Sequence, residues 1–134
     1  MKYLIPYAIL VASVGTTAET PQQVMDAYTA DAVRRTPGFA PNAGLGEFLF
    51  VRKFAVSATM PNCAACHADS PSQPGRHILT RVDIKPLSPA ANPERFTDAA
   101  KVEKWFLRDC TKVIGRECTA GEKADFIAFV SNDY

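Results

Sequence analysis

Four stretches of the chain space their apolar residues at the helical interval of three or four. In the first, Val24, Tyr28 and Ala32 recur behind Thr20 and Gln23, which bracket Pro21 as a capping box, and "TPG" at Thr36 to Gly38 ends the pattern. This predicts a helix from about Pro21 to Arg35. In the second, Asn42 caps "GLGEFLFVRKF", where Leu45, Phe48, Leu49 and Phe50 form a broad apolar stripe and Gly46 permits close approach of a neighbour. The third, "DAAKVEKWFLRDC" behind a Thr97 cap, puts Val102, Trp105 and Phe106 on one face. In the fourth, Thr119 and Glu122 make a second capping box ahead of Phe126, Ile127 and Val130. There is no convincing strand and no internal repeat, so the pattern predicts an all-α chain of four helices.

Between the second and third helices, Ala68 to Thr97 carries Pro71, Pro74, Pro86, Pro89 and Pro93 with no sustained period. A loop this long in a small domain calls for something to pack on, and a large cofactor would supply it. At the start, Lys2 precedes the apolar run "YLIPYAILVASV" and small residues ending at Ala18. That is the pattern of a signal peptide over residues 1–18, too short to span a membrane and without a cysteine near its end to take a lipid. Residues 19–134 are then one exported, periplasmic domain with no membrane span after cleavage. The chain has 15 Lys+Arg against 14 Asp+Glu, and Lys2 is the only charge in the leader, so the mature net charge is about zero. Nothing in that balance calls for a nucleic-acid or acidic-membrane partner.

The four cysteines divide into two pairs. "CAACH" at Cys63 to His67 places two thiols on one helical turn, where each can add to a vinyl group of haem while the adjacent imidazole reaches the iron. One covalent haem c, with His67 as proximal ligand, is the expected cofactor. A thioredoxin-like redox pair would want a βαβ context, and a zinc site would want a second metal-spaced pair. Cys110 and Cys118, eight apart, suit neither. A disulfide between them would clamp "TKVIGRE" between the last two helices, stabilising the fold by about 2.5 kcal/mol on the loop-closure model.

Opposite His67 the usual donor is absent, because no methionine follows the motif; Met25 is on the first helix and Met60 only three residues before Cys63. His77, the only other histidine, sits in the proline-rich loop and reads as a surface or propionate neighbour more readily than as a ligand. Asp109 is different. At roughly 100° per residue it lies in angle between Val102 and Trp105, on the apolar face of its own helix. A carboxylate there needs a partner, either the iron or one of Arg108, Lys112 and Arg116.

The segments "NCAACHAD", "IKPLSPAANPERFTDAAKVEKW" and "CTKVIGRECTAGEKADFIAF" resemble the sphaeroides haem protein and cytochrome c'' group of monohaem cytochromes, over roughly Gly46 to Phe129. The resemblance implies a class I cytochrome c-like helical fold and a disulfide matching Cys110 to Cys118. It also implies a distal ligand at the residue before the first cysteine of that bridge, asparagine in the oxygen-binding members and histidine in the cytochrome c'' members, released on reduction. Asp109 occupies that position, so the position carries over and the ligand type does not. Leu87, in "KPLSP", is expected by His67, and Arg95 or Lys85 by the propionates. With Val102, Trp105 and Phe106 these make the candidate haem pocket.

A hard anionic oxygen favours ferric iron and lowers the reduction potential relative to methionine. Reduction would promote its release, couple electron to proton uptake and open a position for O₂, NO or CO. If Asp109 stands off the iron instead, the haem is five-coordinate and Asp109 is a distal hydrogen-bond partner. The expected function is an exported electron-transfer cytochrome with a labile or open distal position, working with a redox partner protein, another cytochrome, and a small diatomic gas. The alternatives are a gas sensor or carrier, and a haem enzyme acting on oxygen, peroxide or nitrogen oxides. The enzyme is the less favoured, since no second histidine is placed for peroxidase chemistry.

Overall fold

The Thr20 hydroxyl accepts the Gln23 backbone N–H at 3.2 Å, and the Gln23 side chain accepts the Thr20 N–H at 2.8 Å. This reciprocal cap starts α1, Pro21–Arg35, with the predicted bounds. The computed structural model describes Gly15 and residues 17–132, so the expected leader lies almost wholly outside the described residues. Four further helices follow: α2 Ala43–Val51, α3 Ala64–His67, α4 Ala99–Val113 and α5 Ala120–Ser131. The Thr119 and Glu122 capping box opens α5 as expected. No helix among the described residues is long and apolar enough to cross a membrane.

Besides the motif turn α3, which adds a fifth helix to the four expected, three details differ from the sequence reading. The cap of α4 is Asp98, whose carboxylate accepts the Lys101 N–H at 3.0 Å, while the Thr97 hydroxyl donates to the Glu94 carbonyl. Both residues are good caps, and the α4 N-terminus begins one residue later than Thr97 required. The second helix ends at Val51 rather than running through Phe54, because the Phe54 N–H is taken by the Pro61 carbonyl at 2.8 Å and the chain turns back toward the motif. The proline-rich stretch also holds a short antiparallel ribbon, β1 Gly75–Arg76 paired with β2 Asp83–Ile84, each too short to register as alternation.

Helix α5 is the hub of the core. It packs closely on α1 and α2, burying Ala124, Phe126, Ile127, Phe129 and Val130. Phe50 of α2 is fully buried with its ring 5.5 Å from Phe129 and 6.2 Å from Phe126, a burial that stabilises the fold by roughly 1.5–3 kcal/mol. Gly46 is required at this crossing: a β-carbon there would overlap the Asp125 carbonyl. The predicted stripe of α2 is only partly buried. Phe50 faces the core, whereas Leu45 and Phe48 are both 57% exposed. Helix α4 keeps its distance from α5 and reaches it through side chains, with Phe106 edge-on to Phe126 at 5.6 Å and to Tyr28 at 5.8 Å. The space left beneath α4 is the site.

Candidate functional site

The motif turn α3 is held from both sides. Asn62 accepts the Ala65 N–H at 2.9 Å through its side-chain oxygen and donates to the Val51 carbonyl at 2.8 Å, tying the start of α3 to the end of α2. Beyond His67 the chain leaves the helix sharply, with Ala68 at φ 63° and ψ 178°, a conformation that favours glycine and that neighbouring contacts must enforce. One such contact is Gly75 of β1, which lies so close beneath the motif that a β-carbon would overlap the Cys66 carbonyl and come within 2.8 Å of the His67 α-carbon. The Ile78 N–H also points at the Cys66 sulfur, 3.3 Å away. A one-turn helix has little stability of its own, so this surrounding backbone sets where the two thiols and the imidazole point.

They point into a cavity of about 660 Å³, within the roughly 300–1,000 Å³ usual for cofactor sites. Cys63, Cys66 and His67 form one wall. Every other residue expected at the pocket is present in its lining: Leu87, Arg95, Val102, Trp105, Phe106 and Asp109. His77 and Lys85 line it too, and the Cys110–Cys118 disulfide, with α-carbons 5.7 Å apart, backs it beside Asp109. Among the lining residues not assigned to the pocket from sequence are Leu49, Met60, Ile84 and Lys112. Lys112 was legible, being three residues beyond Asp109 on the same helical face. Met60 was not, because its access depends on the turn made by the Phe54 to Pro61 bond and by the Met60 N–H donating to the Ser57 hydroxyl at 3.1 Å.

Each charged group around the cavity is held by specific partners. Arg95 donates to the Pro86 and Lys85 carbonyls at 2.8 and 2.7 Å and lies over the Trp105 ring at 5.2 Å, so its guanidinium is fixed at the cavity wall. Lys85 pairs with Glu94 at 3.3 Å. His77 has its Nδ1 committed to the Leu79 and Thr80 N–H groups at 3.3 and 3.2 Å. Of the three cations near Asp109 in sequence, Arg108 is the partner: its Nε and Nη2 donate to the two carboxylate oxygens at 2.6 and 2.9 Å. Arg116 is occupied by Glu122 at 2.7 and 2.8 Å.

Burial pushes the Cys63 thiol up to about 12, reinforced by the Asp109 charge. Burial also lowers His67 to about 4; Asp109 opposes this shift, while Arg95, Arg108 and His77 add to it. The Asp109 carboxylate is therefore near enough to act on both motif residues from the facing helix. The neutral imidazole that results is the form with a lone pair to give a metal.

The chain is similar along almost its whole length to cytochrome c-type protein SHP of Cereibacter sphaeroides, with 37% identity over 131 residues, 97% of each chain. It belongs to the SHP and cytochrome c'' family of monohaem c-type cytochromes. The family model described as a domain of unknown function, DUF1924, matches residues 37–130. Cytochrome c'' of Methylophilus methylotrophus is 40% identical over 105 residues, 77% of this chain and 73% of the relative. Two solved structures share the fold at that level. Oxidized SHP, an oxygen binding cytochrome c, superposes with a TM-score of 0.76 at 39% identity, covering 84% of this chain and 96% of its own. Oxidized cytochrome c'' from Methylophilus methylotrophus superposes at 0.78 with 35% identity, covering 85% and 94%.

Members of this family carry haem c attached covalently, and the site fits that group. Cys63 and Cys66 are free thiols on one turn at the cavity edge, and His67 is beside them with a neutral ring. No three His, Cys, Asp or Glu side chains among the described residues converge on a point, as ligands of a bare metal ion would. The two thiols would form the thioether links and His67 would be the proximal ligand. Asp109, on α4, lines the same cavity and would offer an anionic oxygen to the group held there.

Proposed function

We propose that this cytochrome is an exported, periplasmic electron carrier whose distal face, bordered by Asp109, is labile or open and takes a small diatomic ligand when the protein is reduced. The observation that carries this reading is the placement of Asp109: it lines the same cavity as His67, yet its two oxygens are engaged by Arg108 at the cavity rim. Haem, when bound, supplies a one-electron couple and an iron with one coordination position beyond His67. The residues around it do the rest. Val102, Trp105 and Phe106 give an apolar wall that excludes water, Arg95 and Lys85 place positive charge where propionates would need it, and the disulfide holds the end of α4. Described relatives support the ligand-binding part, since SHP is named as an oxygen binding cytochrome c and a cytochrome c'' structure is named for haem-ligand detachment.

A carrier is favoured over an enzyme because the one imidazole besides His67 has its Nδ1 turned to backbone donors, which leaves it poorly placed as an acid or base. The physiological partner is then a redox protein, another cytochrome. The deciding measurement is the visible spectrum of the haem-loaded protein, ferric and then anaerobically reduced, before and after CO. A high-spin ferrous spectrum that shifts with CO is expected. A low-spin ferrous spectrum indifferent to CO would mean that a strong ligand stays bound, and the reading would fail.

A further inference from the structure

Neighbouring residues on a helix point about 100° apart and do not normally face one another. Arg108 and Asp109 nevertheless form a two-pronged fork, Nε to Oδ1 at 2.6 Å and Nη2 to Oδ2 at 2.9 Å. The Arg108 side chain has therefore bent around α4 onto the cavity side, where it joins the lining and where its charge reaches His67. A bidentate fork fixes the plane of the carboxylate as well as its position. Asp109 has no other ion-pair partner among the described residues: Arg116 is held by Glu122, and Lys112 lines the cavity without contacting it.

We propose that Arg108 is a positioning residue that latches Asp109 away from the distal position, so that guanidinium and iron compete for one carboxylate. This rests on the reading of Asp109 as the distal group. To reach the iron, at least one carboxylate oxygen must turn out of the fork. Both side chains are about half exposed, 56% for Arg108 and 45% for Asp109, so the latch is of the weak, solvent-screened kind. A weak latch suits a switch. It holds the carboxylate when the metal attracts it little and releases it when the attraction grows, without a large barrier in either direction.

The test uses haem-loaded protein and four variants: Arg108→Gln, Arg108→Lys, Asp109→Ala and the double variant Arg108→Gln with Asp109→Ala. Three quantities are read: the ferric visible spectrum, the Kd of added imidazole for the ferric protein, and the midpoint potential. Freeing the carboxylate in Arg108→Gln should weaken imidazole binding roughly two- to fivefold, move the ferric spectrum toward an oxygen-ligated form and lower the potential. Arg108→Lys keeps the charge without the fork and should fall between. In the Asp109→Ala background the Arg108→Gln change should leave imidazole binding and the spectrum unmoved. If Arg108→Gln has no effect on binding, or the same effect with Asp109 absent, the latch is overturned, since Arg108 would then act by its own charge or not at all. Failure of the underlying reading looks different: the wild-type ferrous protein would ignore CO. Arg108 is about half exposed, and a thermal melt of each variant checks that folding is intact.

Discussion

Cutting the Cys110–Cys118 bridge should cost stability in an amount that can be worked from its surroundings. The two residues are eight apart, a ring whose closure is worth about 2.5 kcal/mol in the chain-entropy model. Both are 6% exposed and sit in the core cluster, so replacing them with alanine also deletes two buried sulfurs. By analogy with removing a buried methylene, each costs about 0.5–1.5 kcal/mol. The double variant Cys110→Ala with Cys118→Ala should therefore lose about 3.5–5.5 kcal/mol. For a domain of this size that corresponds to a Tm lower by roughly 10–25 °C. Circular dichroism melting of the haem-loaded proteins gives the number. The ferric spectrum of the folded variant should also broaden, because Asp109 immediately precedes Cys110 and the bridge fixes the last turn of α4. A Tm within about 3 °C of wild type would show that packing alone holds α4 to α5, and the clamp would be discarded as the device that positions Asp109.

Two further outcomes follow from buried contacts near the site. Lys123 is 8% exposed, donates to both Glu103 oxygens at 2.7 and 2.9 Å and lies over the Tyr28 and Phe106 rings, so Glu103→Gln leaves an ammonium against two aromatic faces and should cost about 1–3 kcal/mol in a urea titration. Burial works to raise the Glu103 carboxyl, but donation from Lys123 and Tyr28 outweighs it and holds the group below its ordinary 4.5. Its stabilisation is thus present above about pH 4.5 and lost as pH falls through the folded value; the variant should lose less stability on acidification, and equal slopes would contradict the assignment. Gly75→Ala should force β1 off the motif turn, costing about 1–3 kcal/mol and lowering the fraction of chains that take up haem; uptake and spectrum identical to wild type would mean that Gly75 does not support the His67 backbone.

The starts of α1 and α5 and the haem motif were legible because the interactions that specify them are local. A capping box spans four residues, so Thr20 with Gln23 and Thr119 with Glu122 announce α1 and α5 before any tertiary contact exists. C-x-x-C-H is legible for the same reason, since the chemistry needs two thiols and an imidazole on one turn. The helical angle put Asp109 on the apolar face of α4, and it lines the cavity with Val102, Trp105 and Phe106. Where two neighbours were equally good, sequence could not choose: Thr97 and Asp98 both cap well, and the hydrogen bond from Thr97 to Glu94 settled it in favour of Asp98.

What only the tertiary structure decided is which of several possible partners each side chain took. Arg108, Lys112 and Arg116 were all within reach of Asp109 along the chain; the folded protein pairs Asp109 with Arg108, gives Arg116 to Glu122 of α5 and leaves Lys112 in the cavity lining. Met60 reached the cavity only through a turn closed by Phe54 and Pro61. Leu45 and Phe48 are large apolar residues like their buried neighbour Phe50, yet α2 turns only one side to α5. Local hydrogen bonds are written in residues a few positions apart, whereas burial, and the choice among several ion-pair partners within reach, are competitions resolved only when the helices pack.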